Sequence, residues 1–381
     1  MKKLFYSLYA LFFNMSRLIF PLKKNRIAFV APHHGGEADS LGILRSYAEK
    51  KGGYDIVTIS TSDLKIDFSS AGSLISSAIK ALGFFTVKAK ALATSEYVFL
   101  NDNFMPMASL NFSKDAVITQ LWHAEGAFKK FGLSAPLTDD VREREKKCSE
   151  KLTYVICSSR NVVPVYAEAF GVEENKILPL GTPRTDMLLC GRDANKIRED
   201  FDTKHPECKG KKLVLYAPTF RDDPETDKSI VKNIDADLFS RELGGEYSLL
   251  IKLHPQIHSG EHVEGTVDVT QGHDINDLTL ICDVLITDYS SVCMDFALLS
   301  KSCIFFAFDL EAYEKERSFY FDYESYVPGP VTGDFSSVIE EIKNPRENGE
   351  KLRSFRDFNF DYIDCCNTER LFERIISSNP Q

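Results

Sequence analysis

The chain has 381 residues, 43% of them hydrophobic and 27% charged, with a formal net charge of −10. That length exceeds the usual single-domain size and the apolar content is ample for real cores, so two folded domains are expected. The acidic balance excludes a nucleic-acid binder, which needs a basic face to neutralise phosphates.

The N-terminus runs against that balance. Lys2, Lys3, Arg17, Lys23, Lys24 and Arg26 make residues 1–26 wholly cationic. Within them, residues 4–20 carry Phe5, Tyr6, Tyr9, Phe12, Phe13 and Phe20, interrupted by Asn14, Ser16 and Arg17. A secretory signal fits poorly, because Pro21-Leu22-Lys23-Lys24 stands where a small-residue cleavage site would be. The expectation is a membrane-interface helix, its basic residues on anionic head groups and its aromatics in the acyl boundary. A transmembrane span and an ordinary buried helix are the competing readings.

From Arg26 onward, short apolar runs alternate with longer amphipathic stretches, the pattern of a parallel sheet wound with helices. The expected strands are residues 26–31, 55–59, 97–100, 116–120 and 154–157 in one half, and 212–216, 248–252, 267–269, 284–287 and 303–306 in the other. Each set can form its own Rossmann-like sheet. The charged stretch 192–212, with Pro206 and Gly210 inside it, marks the boundary between halves, and residues 350–376 read as one or two helices covering an edge. The expected organisation is a membrane-associating segment over 1–25, Rossmann-like domains over 26–190 and 191–355, and a helical segment over 356–381. Nine cysteines include no CxxC, and Cys365-Cys366 is an adjacent pair, so reduced thiols are expected. Cys282, Cys293 and Cys303 lie in apolar runs and read as small core residues.

The polar candidates gather at strand C-terminal ends, where such folds bind ligands. The first turn, residues 31–36 (APHHGG), lacks GxGxxG spacing and reads as a turn with at most a substrate contact. After the run ending at Gln120 come Trp122, His123, Gly126, Lys129 and Lys130. An imidazole there can take a proton from a hydroxyl and the lysines can hold phosphate, the competing reading being a histidine packed on tryptophan. Arg184 in LGTPRTD and Arg221 in YAPTFRD follow apolar runs; each guanidinium can grip a phosphate, or simply pair with Asp186 or Asp222. His254, His258 and His262 have i, i+4, i+8 spacing, but Pro255 and Ser259-Gly260 argue against a continuous helix and no nearby acid completes a zinc set, so no metal site is expected. Thr287-Asp288-Tyr289-Ser290-Ser291 ends a buried run just before a helix start: either a phosphate cradle or plain capping.

Six segments in order, WHAEGAFKKFG (122–132), GTPRTDML (181–188), YAPTFRD (216–222), KLHP (252–255), DVLITDYSSV (283–292) and FDLEAYEKERSFYFDY (308–323), resemble the CDP-glycerol glycerophosphotransferase family of teichoic-acid synthesis. By length the chain looks most like the single-unit primase branch. The resemblance implies a GT-B fold, two Rossmann-like domains facing across a cleft, with peripheral attachment to the cytoplasmic face of the membrane. It implies that 26–190 takes the acceptor and 191–355 the CDP donor. His123 matches the proposed catalytic base, and Arg184, Arg221, His254, Ser290 and Ser291 match donor-diphosphate positions. Gly181, Thr219 and Asp288 join the expected donor set, Gly126, Lys129 and Lys130 the acceptor set, and His254 the catalytic pair with His123. The implied reaction moves glycerol phosphate from CDP-glycerol to a membrane lipid-linked saccharide, releasing CMP. CDP-ribitol as donor and a sugar-nucleotide glycosyltransferase are the alternatives. No cofactor is required in this reading, although Mg²⁺ is compatible with it. Three departures from the family pattern leave donor and acceptor open: Glu125 at a position usually small or neutral, Ser318 for glycine, and Ser302 for proline.

Overall fold

The computed structural model of the protein describes residues 2–32, 37–64, 71–221, 230–253, 263–345 and 349–377. The chain divides into two compact units. The first comprises Met1–Gly126, Lys130–Met187 and Asp361–Gln381, and the second Ala127–Lys129 and Leu188–Phe360.

The first unit is built on a six-stranded sheet of β1 (Lys23–Ala31), β2 (Asp55–Ser60), β3 (Ser95–Leu100), β4 (Val117–Gln120), β5 (Tyr154–Cys157) and β6 (Ile177–Pro179). Their order is β2-β1-β3-β4-β5-β6 and every pairing is parallel. Parallel strands are covered on both faces, which is why their sequences read as continuous apolar runs. Ile27, Phe29, Tyr97, Phe99 and Ile156 accordingly sit in the core. The helix Ser40–Lys51 packs on this core, and Asp39 caps it by accepting from the Gly42 N–H at 2.7 Å. Leu371, Phe372, Ile375 and Ile376, from the last described residues, complete the same core.

The helix Lys2–Ile19 belongs to this unit, and its two faces differ. Tyr9 and Phe13 are fully buried, Tyr9 against Phe84 and Phe104, and Phe13 against Phe112. Leu4, Leu8, Leu11, Met15 and Leu18 are exposed, as are Ile79, Leu82 and Val87 elsewhere in the unit. The expected insertion of aromatics into a bilayer therefore does not hold for Tyr9 and Phe13: flat rings fill the space over Phe84 and Phe104, which leaves the aliphatic stripe facing solvent. Among the described residues no helix is long and apolar enough to cross a membrane.

The second unit carries β7 (Lys212–Tyr216), β8 (Tyr247–Ile251), β9 (Val267–Asp268), β10 (Val284–Thr287), β11 (Ser302–Phe306) and β12 (Val331–Thr332). The order is β12-β11-β10-β7-β8-β9, again all parallel. Sequence order runs outward from β7 in one direction, then restarts at β10 on its other side. The switch point therefore falls between β7 and β10, where an open sheet leaves a crevice at its strand C-termini. Cys148, Cys157, Cys208, Cys282, Cys293, Cys303 and Cys366 are free thiols, whereas Cys190 and Cys365 are disulfide-bonded, so uniform reduction does not hold for those two.

Candidate functional site

In the second unit, the ends of β7 and β10 bring Thr219, Arg221 and Asp288 together. The Thr219 N–H donates to Asp288 Oδ1 at 2.8 Å, and Arg221 Nη2 donates to Asp288 Oδ2 at 2.8 Å. A third partner comes from the loop after β11. Arg221 Nε and Nη2 donate to the two oxygens of Asp309 at 2.7 and 3.0 Å, and Nη1 donates to the Thr219 carbonyl at 2.6 Å. The guanidinium lies 5.0 and 5.1 Å from the ring centres of Tyr289 and Tyr313, which stack on each other at 3.7 Å. Tyr289 donates to Asp309 at 2.9 Å, and burial pushes its phenol well above the ordinary value, with Asp309 adding to the effect. Tyr323 donates to the Asp288 carbonyl at 2.8 Å. Arg221 is thus built into the fold as a counter-ion for two carboxylates rather than held out toward solvent. Asp309, Tyr289, Tyr313 and Tyr323 were not singled out in the sequence, although the FDLEAY and FYFDY segments carry three of them.

Ser290 and Ser291 follow directly. Ser291 is exposed and occupies the cap position of the helix Val292–Leu298 without a side-chain capping bond. Ser290 Oγ meets the Val292 N–H only at 3.4 Å. The plain capping explanation is therefore weak for both hydroxyls. His254, with His258 and His262, lies outside the described residues. Among the described residues no cluster of three or more His, Cys, Asp or Glu could hold a metal ion.

In the first unit, the chain leaves β4 through an unusual residue. Trp122 takes φ of +60°, a region that bulky side chains avoid at a cost of about 1–3 kcal/mol. It is held there by its N–H donating to Gln120 Oε1 at 3.0 Å and by Phe131 and Phe170, whose rings lie 5.1 and 5.3 Å away. The turn leaves the next side chain, His123, 43% exposed. Its Nδ1 lies 3.3 Å from the Asn101 carbonyl and 3.9 Å from Asp102 Oδ2, beyond the end of β3. A carbonyl can only accept, so in this contact Nδ1 is the donor and carries the proton. An imidazole oriented in this way can serve as a general base. His123 also lies against Trp122, ring centres 4.0 Å apart, so packing on tryptophan and exposure at a strand end occur together.

The remaining candidates of this unit form a second cluster. Glu125 is buried and accepts from Arg184 Nη1 and Thr182 Oγ1, both at 2.9 Å. Asp186, two residues after Arg184, instead accepts from the backbone and side chains of Asn367 and Thr368 at 2.7–3.0 Å. Arg184 thus pairs with Glu125, and Asp186 docks the C-terminal helix Asn367–Phe372. Gly181 has φ of +76°, and a Cβ there would collide with the Asn367 amide. The Gly126 N–H donates to Ser158 Oγ at 2.9 Å, and Lys130 follows in the same unit. Gly181 and Arg184 consequently belong to the first unit, while Thr219, Arg221, Asp288, Ser290 and Ser291 belong to the second.

Lys129 belongs to the second unit as well. Its neighbour Phe128 accepts from the Tyr320 N–H at 3.1 Å and packs its ring on Phe319 and Tyr323, while Lys129 itself bridges Phe319 antiparallel.

The chain is 33% identical over 385 residues to the teichoic acid poly(ribitol-phosphate) polymerase of Bacillus spizizenii, a match that takes in 98% of this chain and 60% of that protein. It is 36% identical to the teichoic acid ribitol-phosphate primase of the same organism, over 75% of this chain and 76% of the primase. Its fold is similar to that of the wall teichoic acid polymerase TagF, with a TM-score of 0.76 at 24% identity over 97% of this chain and 92% of that one. The family model for CDP-glycerol:poly(glycerophosphate) glycerophosphotransferases matches residues 11–377, and the chain belongs to that family.

Proposed function

We propose that the protein transfers a polyol phosphate from a CDP-activated donor to a hydroxyl of a lipid-linked saccharide, at the cytoplasmic face of the membrane, in the synthesis of teichoic acid or a related cell-surface polymer. The observation that carries the reading is His123: an exposed imidazole at a strand end, its ring oriented by the contact of Nδ1 with the Asn101 carbonyl. In the reaction the acceptor O–H gives its proton to Nε2 and its oxygen attacks the β-phosphorus. The bond from that phosphorus to the bridging oxygen breaks, and CMP leaves with the bond's electron pair. The strand-end groups of the second unit hold the diphosphate, so the work is positioning and charge stabilisation.

His123→Ala should lower turnover by about 10²–10⁴-fold while leaving CDP affinity intact, because the base acts on the acceptor. Release of CMP, rather than CDP or UDP, in the wild-type reaction separates this chemistry from glycosyl transfer. Turnover at the wild-type rate in the alanine variant would remove His123 from the mechanism.

Two polyols compete. Glycerol is the polyol in the description of the family, whereas the two relatives above are ribitol-phosphate enzymes by name. Initial rates with CDP-glycerol and CDP-ribitol as rival donors decide between them. The membrane placement is supported by the exposed stripe of Leu4, Leu8, Leu11, Met15 and Leu18, an aliphatic face suited to an acyl boundary.

A further inference from the structure

The donor set places a cation at the switch point of the second unit, and Arg221 is the residue the motif suggests. Its geometry argues otherwise. Three of its N–H bonds go to Asp309 and Asp288 and a fourth to the Thr219 carbonyl, so the charge is already matched by two carboxylates. Lys129 differs on each point. It is half-buried and makes no hydrogen bond or ion pair among the described residues. Its charged or titratable neighbours are Asp288 after β10, Arg221 after β7, Arg317 at the end of the helix Leu310–Glu316, and Cys293 in the helix Val292–Leu298. Asp288 is in turn held by Arg221 and by the N–H groups of Thr219 and Tyr289. A second polar group in the same cluster is also unused: Thr219 is 7% exposed, and its buried Oγ1 has no hydrogen-bond partner among the described residues.

We propose that Lys129 and the Thr219 hydroxyl bind the diphosphate of the nucleotide donor, with Arg221 acting as a positioning residue that fixes Asp288 and the strand-end loop. The proposal rests on the CDP-polyol reading and moves Lys129 from the expected acceptor set to the donor. Desolvating an ammonium without a partner is unfavourable in the empty protein, and an arriving dianion removes that penalty. Consistent with this, burial pushes the Lys129 ammonium down from 10.5 to about 8, Asp288 drawing it back up while Arg317 and Arg221 oppose the charge. The backbone fixes where the ammonium starts from, through the Phe128–Tyr320 hydrogen bond and the Lys129–Phe319 bridge.

The pH signs follow. Below about 8 the ammonium is charged and ready for phosphate, and above it the charge and the affinity are lost. For stability, the lowered value means that the unfolded chain binds the extra proton between about 8 and 10.5, so the penalty is complete below that window and gone above it.

The test uses the full chain, with CDP and CDP-glycerol titrated calorimetrically across that range. Wild-type affinity should be flat up to about pH 8 and then fall by up to about tenfold per unit. Lys129→Arg should hold its affinity through the range. Lys129→Met should bind about 10- to 100-fold more weakly near neutrality, with no pH dependence. It should also unfold at a higher temperature than wild type near neutrality, a gain that shrinks toward pH 10.5. Thr219→Val should weaken binding without loss of stability, since its hydroxyl has no partner to lose among the described residues. Wild-type affinity and wild-type pH dependence in Lys129→Met overturn the assignment. Failure of the wild type itself to bind either nucleotide overturns the donor reading, and this proposal with it.

Discussion

At the scale of single residues, Glu125 shows how much one side chain can carry. Its carboxylate is buried against Arg184 and Thr182 and forms half of an internal ion pair. Removing one member of such a pair leaves the other in a poor dielectric, at a cost of about 3 kcal/mol or more. Glu125→Ala should lose about that much in denaturant unfolding, and a loss below about 1 kcal/mol would show that the pair is solvated enough to be dispensable. The identities at the site were legible in sequence: a strand ending in Trp-His, and a strand ending in Asp-Tyr-Ser-Ser, are local signals. The partners were not. Arg221 reads as a phosphate ligand until Asp309, 88 residues further on, is seen to take two of its donors. Pairing across that separation is decided by how strands stack, and no local pattern carries it.

At the scale of elements, the helix Lys2–Ile19 has two separable jobs. Phe13 is fully buried against Phe112, and truncating it to alanine should cost about 3–5 kcal/mol as a large ring leaves the core. Leu11 and Leu18 point to solvent. Leu11→Glu with Leu18→Glu should keep the unfolding temperature while abolishing co-sedimentation with anionic vesicles. Lys3 is paired with Asp140 and Lys23 with Asp55, so much of the cationic flank is matched within the protein. Vesicle binding should therefore survive added salt for the most part. Undiminished binding by the double glutamate variant would mean that membrane contact lies elsewhere on the chain. Ten of the twelve strands were readable from short runs rich in apolar residues, β9 only through Val267 and the adjoining Val269; β6 and β12, of three and two residues, are too short to show a period.

At the scale of the whole molecule, the proposed donor is an anion and the chain has a net charge of −10, so on that reading the neutralising charge must be local. We place it on side chains, and turnover should persist in excess EDTA; an absolute loss restored by Mg²⁺ would show that a carboxylate at the site holds an ion. The parallel arrangement of both sheets was readable from alternating apolar and amphipathic stretches. The assignment of the last residues was not, because an amphipathic helix does not announce which sheet it will cover. That assignment bears on the order in which the protein is made. Leu371, Phe372, Ile375 and Ile376 lie in the core with Ile27 and Phe29, so the unit whose first strand leaves the ribosome earliest is the one whose core is closed latest. Until then its sheet stands with an open apolar face, while the second unit, whose last residue is Phe360, already has all of its chain. A chain cut after Phe360 would therefore keep all of the second unit while lacking Leu371, Phe372, Ile375 and Ile376 from the core of the first.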